Sequence, residues 1–148
     1  TPFPRVVGLD GTQKMSKSLN NHIELSASPE EIARRVRTAV TDPARVYRSD
    51  PGHPGVCNIF SLHQFYSAPH LAGIAHDCRT ASIGCVACKK LLVDHISAAL
   101  QPFRERRAAL AAKPHLVQDV LATGASRARC IATEPLQEVK ERMGLPLA

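Results

Sequence analysis

The stretch of sequence that decides the fold reads Gly11-Thr12-Gln13-Lys14-Met15-Ser16-Lys17-Ser18. Two lysines three residues apart, with hydroxyl side chains around them, form a compact cationic loop. A Lys ammonium is a point charge that can meet a phosphate oxygen, and Ser hydroxyls and backbone N–H groups add donors. Such a loop can stabilise charge that develops on a pyrophosphate leaving group. The residue types alone leave a solvated charged loop open as the simpler interpretation.

Outward from this loop, the composition indicates one basic domain. The 148 residues carry 19 Lys and Arg against 13 Asp and Glu, a net charge of +6, which suits a nucleic-acid binder but does not require one. Aromatic residues make up 4% of the chain, so the core must be built from Leu, Ile, Val and Ala. No run approaches the roughly 18 apolar residues of a membrane span. The start, Thr1 to Arg5, resembles no targeting segment and lacks Met, so we expect a piece of a longer cytoplasmic protein without membrane contact.

Helix signals dominate after residue 27. Ser28-Pro29-Glu30-Glu31 reads as a capping box with proline at the first helical position. Ile32, Val36 and Val40 then recur at helical spacing and predict one buried stripe. Residues 1–27 are polar and rich in turns, and residues 5–9 suit one short strand.

Further helices are predicted at residues 56–67, 68–78, from 84, from 114, and at 125–143. Prolines and glycines make residues 41–55 a loop, and Gly124 is expected to end or bend the helix that Pro114 opens. The apolar stripe of the long helix comprises Leu92, Ile96, Ala99, Leu100, Phe103 and Leu110, and Pro102 is expected to kink this helix. The predicted fold class is therefore all-α, a helical bundle preceded by a flexible loop.

Four of the five cysteines have a spacing typical of a metal site. Cys57, Cys78, Cys85 and Cys88 are separated by 20, 6 and 2 residues. In a cytosolic chain, paired cysteines at this spacing point to metal or redox chemistry, and no thioredoxin-like pattern surrounds them. The spacing alone leaves structural zinc, an iron–sulfur cluster and free thiols open. His63, His70 and His76 could replace a missing ligand, and Cys130 reads as a small apolar residue.

The string Lys14-Met15-Ser16-Lys17-Ser18 resembles the second ATP-binding motif of class I aminoacyl-tRNA synthetases. Flanking segments are similar to the tryptophanyl-tRNA synthetases in particular. They are residues 8–10 before the motif, 39–42 after the capped helix, 54–59 after the loop and 100–107 in the long helix. Gly11 and Gln13 depart from the pattern, because many family members have Pro and Lys there.

This resemblance implies a fold, a division of the chain into two domains, and an activity. The chain would be the C-terminal portion of a tryptophan–tRNA ligase, with the Rossmann catalytic half absent and the chain alone inactive. Residues 1–27 would be the end of the catalytic domain, and residues 28–148 a helical anticodon-binding domain. The complete enzyme would use ATP with Mg²⁺, L-tryptophan and tRNA(Trp), and would be a homodimer.

The resemblance also implies site residues. Lys14 and Lys17 would be catalytic, and Lys14, Met15, Ser16, Lys17 and Ser18 would bind ATP. The four cysteines would hold a 4Fe–4S cluster, as in a subset of this family, and Arg79, Lys89 and Lys90 beside them would meet tRNA phosphates. Two alternatives remain: a non-catalytic, zinc-stapled nucleic-acid-binding module, and the tyrosyl-tRNA synthetase relative.

Overall fold

The computed structural model describes residues 5–146, so the chain start considered above lies partly outside the described residues. The elements in this part of the chain are α1 (Pro29–Thr38), α2 (Asn58–Tyr66), a 3₁₀ turn (Ala68–His70), α3 (Leu71–Arg79), α4 (Cys85–Ala111) and α5 (Pro114–Arg142). The described residues contain no strand. Where residues 5–9 suit a strand, the structure has one isolated antiparallel bridge, between Val7 and Lys14.

The start of α1 follows from its capping residues. The Ser28 hydroxyl accepts a hydrogen bond from the Glu31 N–H at 3.2 Å, and Pro29 occupies the first turn. Ile32 and Val36 are fully buried, as their spacing predicts. Val40 is 48% exposed, because α1 ends at Thr38 and the backbone turns extended at Ala39. Ala39 takes the buried place that the stripe assigned to Val40.

One apolar core joins the lysine–serine segment to the helices. Its buried members come from the N-terminal segment, α1, α2 and α4, and are Leu9, Ala27, Ile32, Val36, Ala39, Cys57, Ile59, Leu62, Leu92, Ile96 and Leu100. Met15, inside the lysine–serine motif, packs against this core. The free energy that holds α1, α2 and α4 together therefore also holds the motif.

The prediction of a flexible loop in front of a bundle is wrong. The N–H of Leu9 donates to the Asn21 carbonyl, and the N–H of Val40 donates to the Leu9 carbonyl, at 2.8 and 3.0 Å. The Asn58 side chain, on α2, donates to the Gly8 carbonyl at 2.8 Å. Leu9 is apolar and buried, so removing the segment from the helices would expose apolar surface and leave these backbone groups unpaired.

The chain divides into two compact units, Thr1–Arg104 and Glu105–Ala148. In the second unit, α5 runs without a break past Gly124, where an end or bend was expected, and past Pro135. A glycine inside a helix costs about 1 kcal/mol relative to alanine but leaves the hydrogen-bond ladder intact. No residue of α5 is buried. None of the described helices has the length and hydropathy to cross a membrane.

Candidate functional site

The lysine–serine loop (residues 11–18) is closed by backbone hydrogen bonds. The N–H of Gly8 donates to the Gln13 carbonyl at 2.8 Å, and the N–H of Met15 donates to the Val6 carbonyl at 2.9 Å. Both bonds lie beside the Val7–Lys14 bridge. The loop therefore has a fixed base, from which the lysine side chains project.

Asp10 organises the first turn of the loop. One carboxylate oxygen accepts hydrogen bonds from the N–H groups of Thr12 and Gln13, both at 2.9 Å. The second oxygen accepts a hydrogen bond from the Asn21 side chain. The Thr12 N–H first, and then Asn21 and the Gln13 N–H, lower the pKa of Asp10 below its ordinary value. The Asp10 carboxylate therefore links the turn at Thr12 and Gln13 to the Asn21 side chain.

The two lysines of the motif differ in how far they are fixed. The backbone of Lys14 takes part in the bridge and its carbonyl accepts a hydrogen bond from Asn21, whereas its side chain is exposed. The Lys17 side chain is 86% exposed, and its ammonium lies 3.8 Å from a Glu24 carboxylate oxygen. A surface pair of this kind contributes little free energy, so it is easily exchanged for a phosphate. Both ammonium groups are accessible to a polyanion.

The segment that follows the motif is tied to α1 through Asn20. The Arg35 guanidinium donates to the carbonyl and to the side-chain oxygen of Asn20, at 2.8 and 2.7 Å. Arg35 is itself paired with Glu31 at 3.1 Å. The hydroxyls of Ser16 and Ser18 are 2.8 Å apart and share a hydrogen bond. The cationic turn is thus held at both ends while its lysines face solvent.

The second candidate site is a neighbourhood of four thiols. Burial first, and then repulsion from Cys57, Cys78 and Cys85, raise the pKa of Cys88 to about 12. The four thiols predicted as ligands are therefore close enough to interact electrostatically. All of them are free cysteines, and Cys130, on α5, is free and exposed rather than buried in an apolar helix.

Close backbone approach and one arginine shape this neighbourhood. The Gly52 N–H donates to the Cys78 carbonyl at 2.9 Å, and a Cβ at position 52 would overlap the Cys78 sulfur. The Arg45 guanidinium lies 4.0 Å from the same sulfur and donates to the Ile83 carbonyl at 2.8 Å. The loop between α1 and α2 therefore brings a guanidinium close to the Cys78 sulfur, and glycine at position 52 lets the backbone approach the same sulfur.

His63 connects the thiols to a buried polar chain. Its Nε2 lies 3.4 Å from the Cys88 sulfur, and its Nδ1 lies 2.7 Å from the Ser67 hydroxyl. The Ser67 hydroxyl lies 2.6 Å from Nδ1 of His95. His63 is fully buried, and this burial lowers its pKa to about 4. It is the one of the three predicted substitute ligands for which a contact with a cysteine sulfur is seen.

Within residues 5–146, no group of three or more His, Cys, Asp or Glu side chains is placed to hold a metal ion. The cluster at Cys57, Cys78, Cys85 and Cys88 stays a prediction, supported by the shared neighbourhood of the sulfurs. Sequence reasoning did not single out Arg45, although an arginine in a loop rich in proline and glycine is a weak signal for such a contact.

The three residues predicted to contact tRNA lie in different environments. Arg79 and Lys90 are exposed, and Lys90 lines a cavity of about 640 Å³ together with Arg45, Tyr47 and Arg48. The Lys89 ammonium donates to the carbonyls of Arg37 and Ala39 at 2.8 and 2.7 Å, at the end of α1. Lys89 therefore caps α1, and one of its three N–H donors remains for a phosphate.

Asp42 holds the loop that carries Arg45 and Gly52. Its carboxylate accepts hydrogen bonds from the N–H groups of Ala44 and His53, at 2.9 and 2.7 Å, and from the His53 ring at 2.8 Å. The side chain is 2% exposed. Burial would raise the pKa of Asp42, but the bonds from His53 and Ala44 outweigh it and lower the pKa.

We expect Asp42→Asn to destabilise the first unit by about 2 kcal/mol at pH 7, since an amide N–H would face the donors of His53. A carboxylate with a lowered pKa stabilises the fold above its unfolded pKa, about 3.9, and loses this contribution as the pH falls through the folded value. The difference between wild type and variant should hold from pH 7 to 5 and shrink below about pH 4. Native-state hydrogen exchange of the α1 amides measures this difference in the free energy of unfolding. A difference that grows on acidification would contradict the assigned role of the Asp42 carboxylate.

Comparison with known proteins places this geometry in a family. Residues 2–101 match the family described as tRNA synthetases class I (W and Y). The chain belongs to this family. The tryptophan–tRNA ligase of Deinococcus radiodurans is 45% identical over 141 residues, which cover 95% of this chain and 43% of that protein. The expected resemblance to tryptophanyl-tRNA synthetases is confirmed.

Solved structures agree with the sequence comparison. A tryptophanyl-tRNA synthetase from Campylobacter jejuni, complexed with ADP and tryptophan, has a TM-score of 0.86 at 30% identity, over 95% of this chain and 44% of that one. A tyrosyl-tRNA synthetase from Archaeoglobus fulgidus, at 24% identity and a TM-score of 0.54 over 68% of this chain and 35% of that one, shares the fold alone. The chain spans less than half the length of these relatives.

The family match also corrects the predicted fold class. An all-α anticodon-binding bundle with the catalytic region absent is wrong, because the match over residues 2–101 unites the lysine–serine loop and α1 to α3 with most of α4. The shared core of Leu9 with Ile32, Ile59 and Leu92 is the physical reason. The division of roles at residue 27 stays a prediction.

Proposed function

We propose that this chain works as part of an ATP-dependent tryptophan–tRNA ligase and that residues 14–18 contact the triphosphate of ATP. The observation that carries the proposal is the anchored loop with two accessible ammonium groups, within a chain 45% identical to a tryptophan–tRNA ligase. The complete enzyme would use ATP with Mg²⁺, L-tryptophan and tRNA(Trp), and we propose that it is a homodimer.

In the proposed reaction, a carboxylate oxygen of tryptophan attacks the α-phosphorus of ATP. The bond from this phosphorus to the bridging oxygen breaks, and pyrophosphate leaves with the negative charge. Lys17 and Lys14 would stabilise this charge, together with the hydroxyls of Ser16 and Ser18. The weak contact of Lys17 with Glu24, at 3.8 Å, can be exchanged for a phosphate at little cost.

We propose that Cys57, Cys78, Cys85 and Cys88 hold a 4Fe–4S cluster. The chemistry of the donor set fits, since four thiols interact with one another and cysteine thiolates are the ligands of such clusters. Glycine at position 52 lets the backbone approach the Cys78 sulfur closely, and Arg45 offers a positive charge there. A bound cluster would join α3, α4 and the start of α2 through covalent bonds to iron.

We propose that the exposed cations near these cysteines contact tRNA phosphates. Lys90 and Arg79 are exposed, and Arg45 and Arg48 line the same cavity as Lys90. Lys89 would contribute mainly by holding the end of α1. Phosphate contacts through Lys and Arg would make tRNA affinity fall steeply with salt.

The test of the proposed activity is ATP–pyrophosphate exchange by the polypeptide that contains this chain. Exchange should depend on tryptophan and should not be supported by tyrosine at the same concentration. Exchange that depends on tyrosine would transfer the proposal to the tyrosyl branch of the family. Protein that binds tRNA but shows no exchange with either amino acid would favour the non-catalytic binding module.

A further inference from the structure

Asn21 lies outside the five-residue motif but at its centre in space. Its side-chain oxygen accepts a hydrogen bond from the Ser16 N–H at 2.8 Å, and its side-chain nitrogen donates to the Lys14 carbonyl at 3.2 Å. Because a backbone N–H can only donate and a carbonyl can only accept, these partners fix which end of the amide is which. Asn21 is 6% exposed, so neither bond can be replaced readily by water.

The same side chain is held from the opposite direction. The Asn21 nitrogen also donates to the Asp10 carboxylate, which is engaged by the N–H groups of Thr12 and Gln13. A Cβ at Gly8 would overlap the Asn21 side chain, so the backbone at position 8 leaves the space that Asn21 occupies. One carboxamide thus joins the first turn of the loop to the two residues on either side of Met15.

We propose that Asn21 is the positioning residue of the lysine–serine loop, fixing the backbone of Lys14 and Ser16 so that both lysines meet the triphosphate in one geometry. The inference rests on the proposed function and deepens it. A carboxamide is required because the site needs one acceptor and one donor at once. Aspartate offers only acceptors and would also face the carboxylate of Asp10.

The short span that carries Lys17 follows from the same contacts. Asn21 fixes Ser16, and Arg35 fixes Asn20, so the span between these anchors is residues 17–19. The Lys17 carbonyl also accepts a hydrogen bond from the Asn20 N–H at 3.1 Å, so the Lys17 side chain projects from a short turn that is held at both ends. Misplacement of a catalytic group by about 1 Å can cost on the order of 10²-fold in rate.

Four variants of the polypeptide that contains this chain test the proposal by ATP–pyrophosphate exchange. Asn21→Ala and Asn21→Asp should each lower kcat about 10²-fold and leave the KM for tryptophan unchanged within about twofold. The exchanged pair, Asp10→Asn with Asn21→Asp, again places one carboxylate against one carboxamide. It should recover only about tenfold over Asn21→Asp, the scale of coupling between hydrogen-bonded groups, because aspartate at position 21 still has no donor for the Lys14 carbonyl. Gln64→Ala removes an exposed amide of α2, outside the loop, and is the matched control.

Two further measurements separate positioning from folding. Thermal unfolding should show all four variants folded at the assay temperature, and hydrogen exchange at the Ser16 amide should accelerate in Asn21→Ala but not in Gln64→Ala. Wild-type kcat in folded Asn21→Ala, or no recovery in the exchanged pair, would overturn the inference alone. Wild-type protein without tryptophan-dependent exchange would overturn the proposed function, and the inference would fall with it.

Discussion

Lys17→Ala is expected to slow formation of tryptophanyl adenylate about 10²–10³-fold in the polypeptide that contains this chain, the scale of removing one preorganised charge donor. The Lys17 ammonium is 86% exposed and has only a 3.8 Å contact with Glu24, so it is available to the leaving pyrophosphate. Tryptophan affinity should barely change, because the side chain reaches phosphate and not the amino-acid side chain. Single-turnover formation of adenylate, measured with saturating ATP, gives the rate of this step directly.

The matched control is Lys113→Ala, a lysine of the second unit at the start of α5. It changes the net charge by the same amount, so any general effect of charge on ATP affinity appears in both variants. Lys113→Ala should keep wild-type rates. Equal rates for Lys17→Ala and wild type would remove Lys17 from the mechanism. Equal losses in both variants would assign the effect to net charge.

The second large effect is expected at the four cysteines, where one substitution should abolish cluster binding. Protein prepared without oxygen should be brown and hold about four irons and four sulfides per chain. Cys85→Ser should abolish iron and sulfide binding, since Cys85 is a predicted ligand at the start of α4 and interacts electrostatically with Cys88. Cys78→Ser should do the same from α3. Iron and sulfide analysis, with visible absorption, measures both.

Cys130→Ser is the control for general loss of a thiol. Cys130 is exposed on α5 and belongs to the other unit, so its variant should bind as much iron as wild type. Colourless anaerobic protein with one bound zinc per chain would show that the site holds structural zinc and not an iron–sulfur cluster. Anaerobic protein that binds neither metal would contradict any shared site for the four cysteines.

Local signals were enough to predict parts of the fold. The cap at Ser28 and the burial of Ile32 and Val36 depend on residues within three or four positions of one another, and periodicity captures such contacts. The predicted burial of Val40 was wrong because the backbone leaves the helix at Ala39, and the hydrophobic pattern contains no signal for that turn. The continuous α5 was missed because Gly124 weakens a helix without ending it.

Contacts distant in sequence could not be predicted in this way. Asn21 is a single polar residue, and its importance depends on Asp10, 11 positions earlier, and on space left at Gly8. The contact of Arg45 with the Cys78 sulfur spans 33 positions. The packing of the lysine–serine segment into the helical core was missed for the same reason, since Leu9 has no periodic neighbours in its own segment.

We propose that the polypeptide that contains this chain charges tRNA with tryptophan and that the lysine–serine loop takes part in the activation of ATP. The most direct measurement is transfer of radiolabelled tryptophan to tRNA(Trp) by the polypeptide that contains this chain, in parallel with tyrosine and tRNA(Tyr). The account predicts ATP-dependent charging of tRNA(Trp) with tryptophan and no charging of tRNA(Tyr) with tyrosine. Charging with tyrosine, or no charging by folded protein that binds tRNA(Trp), would contradict it.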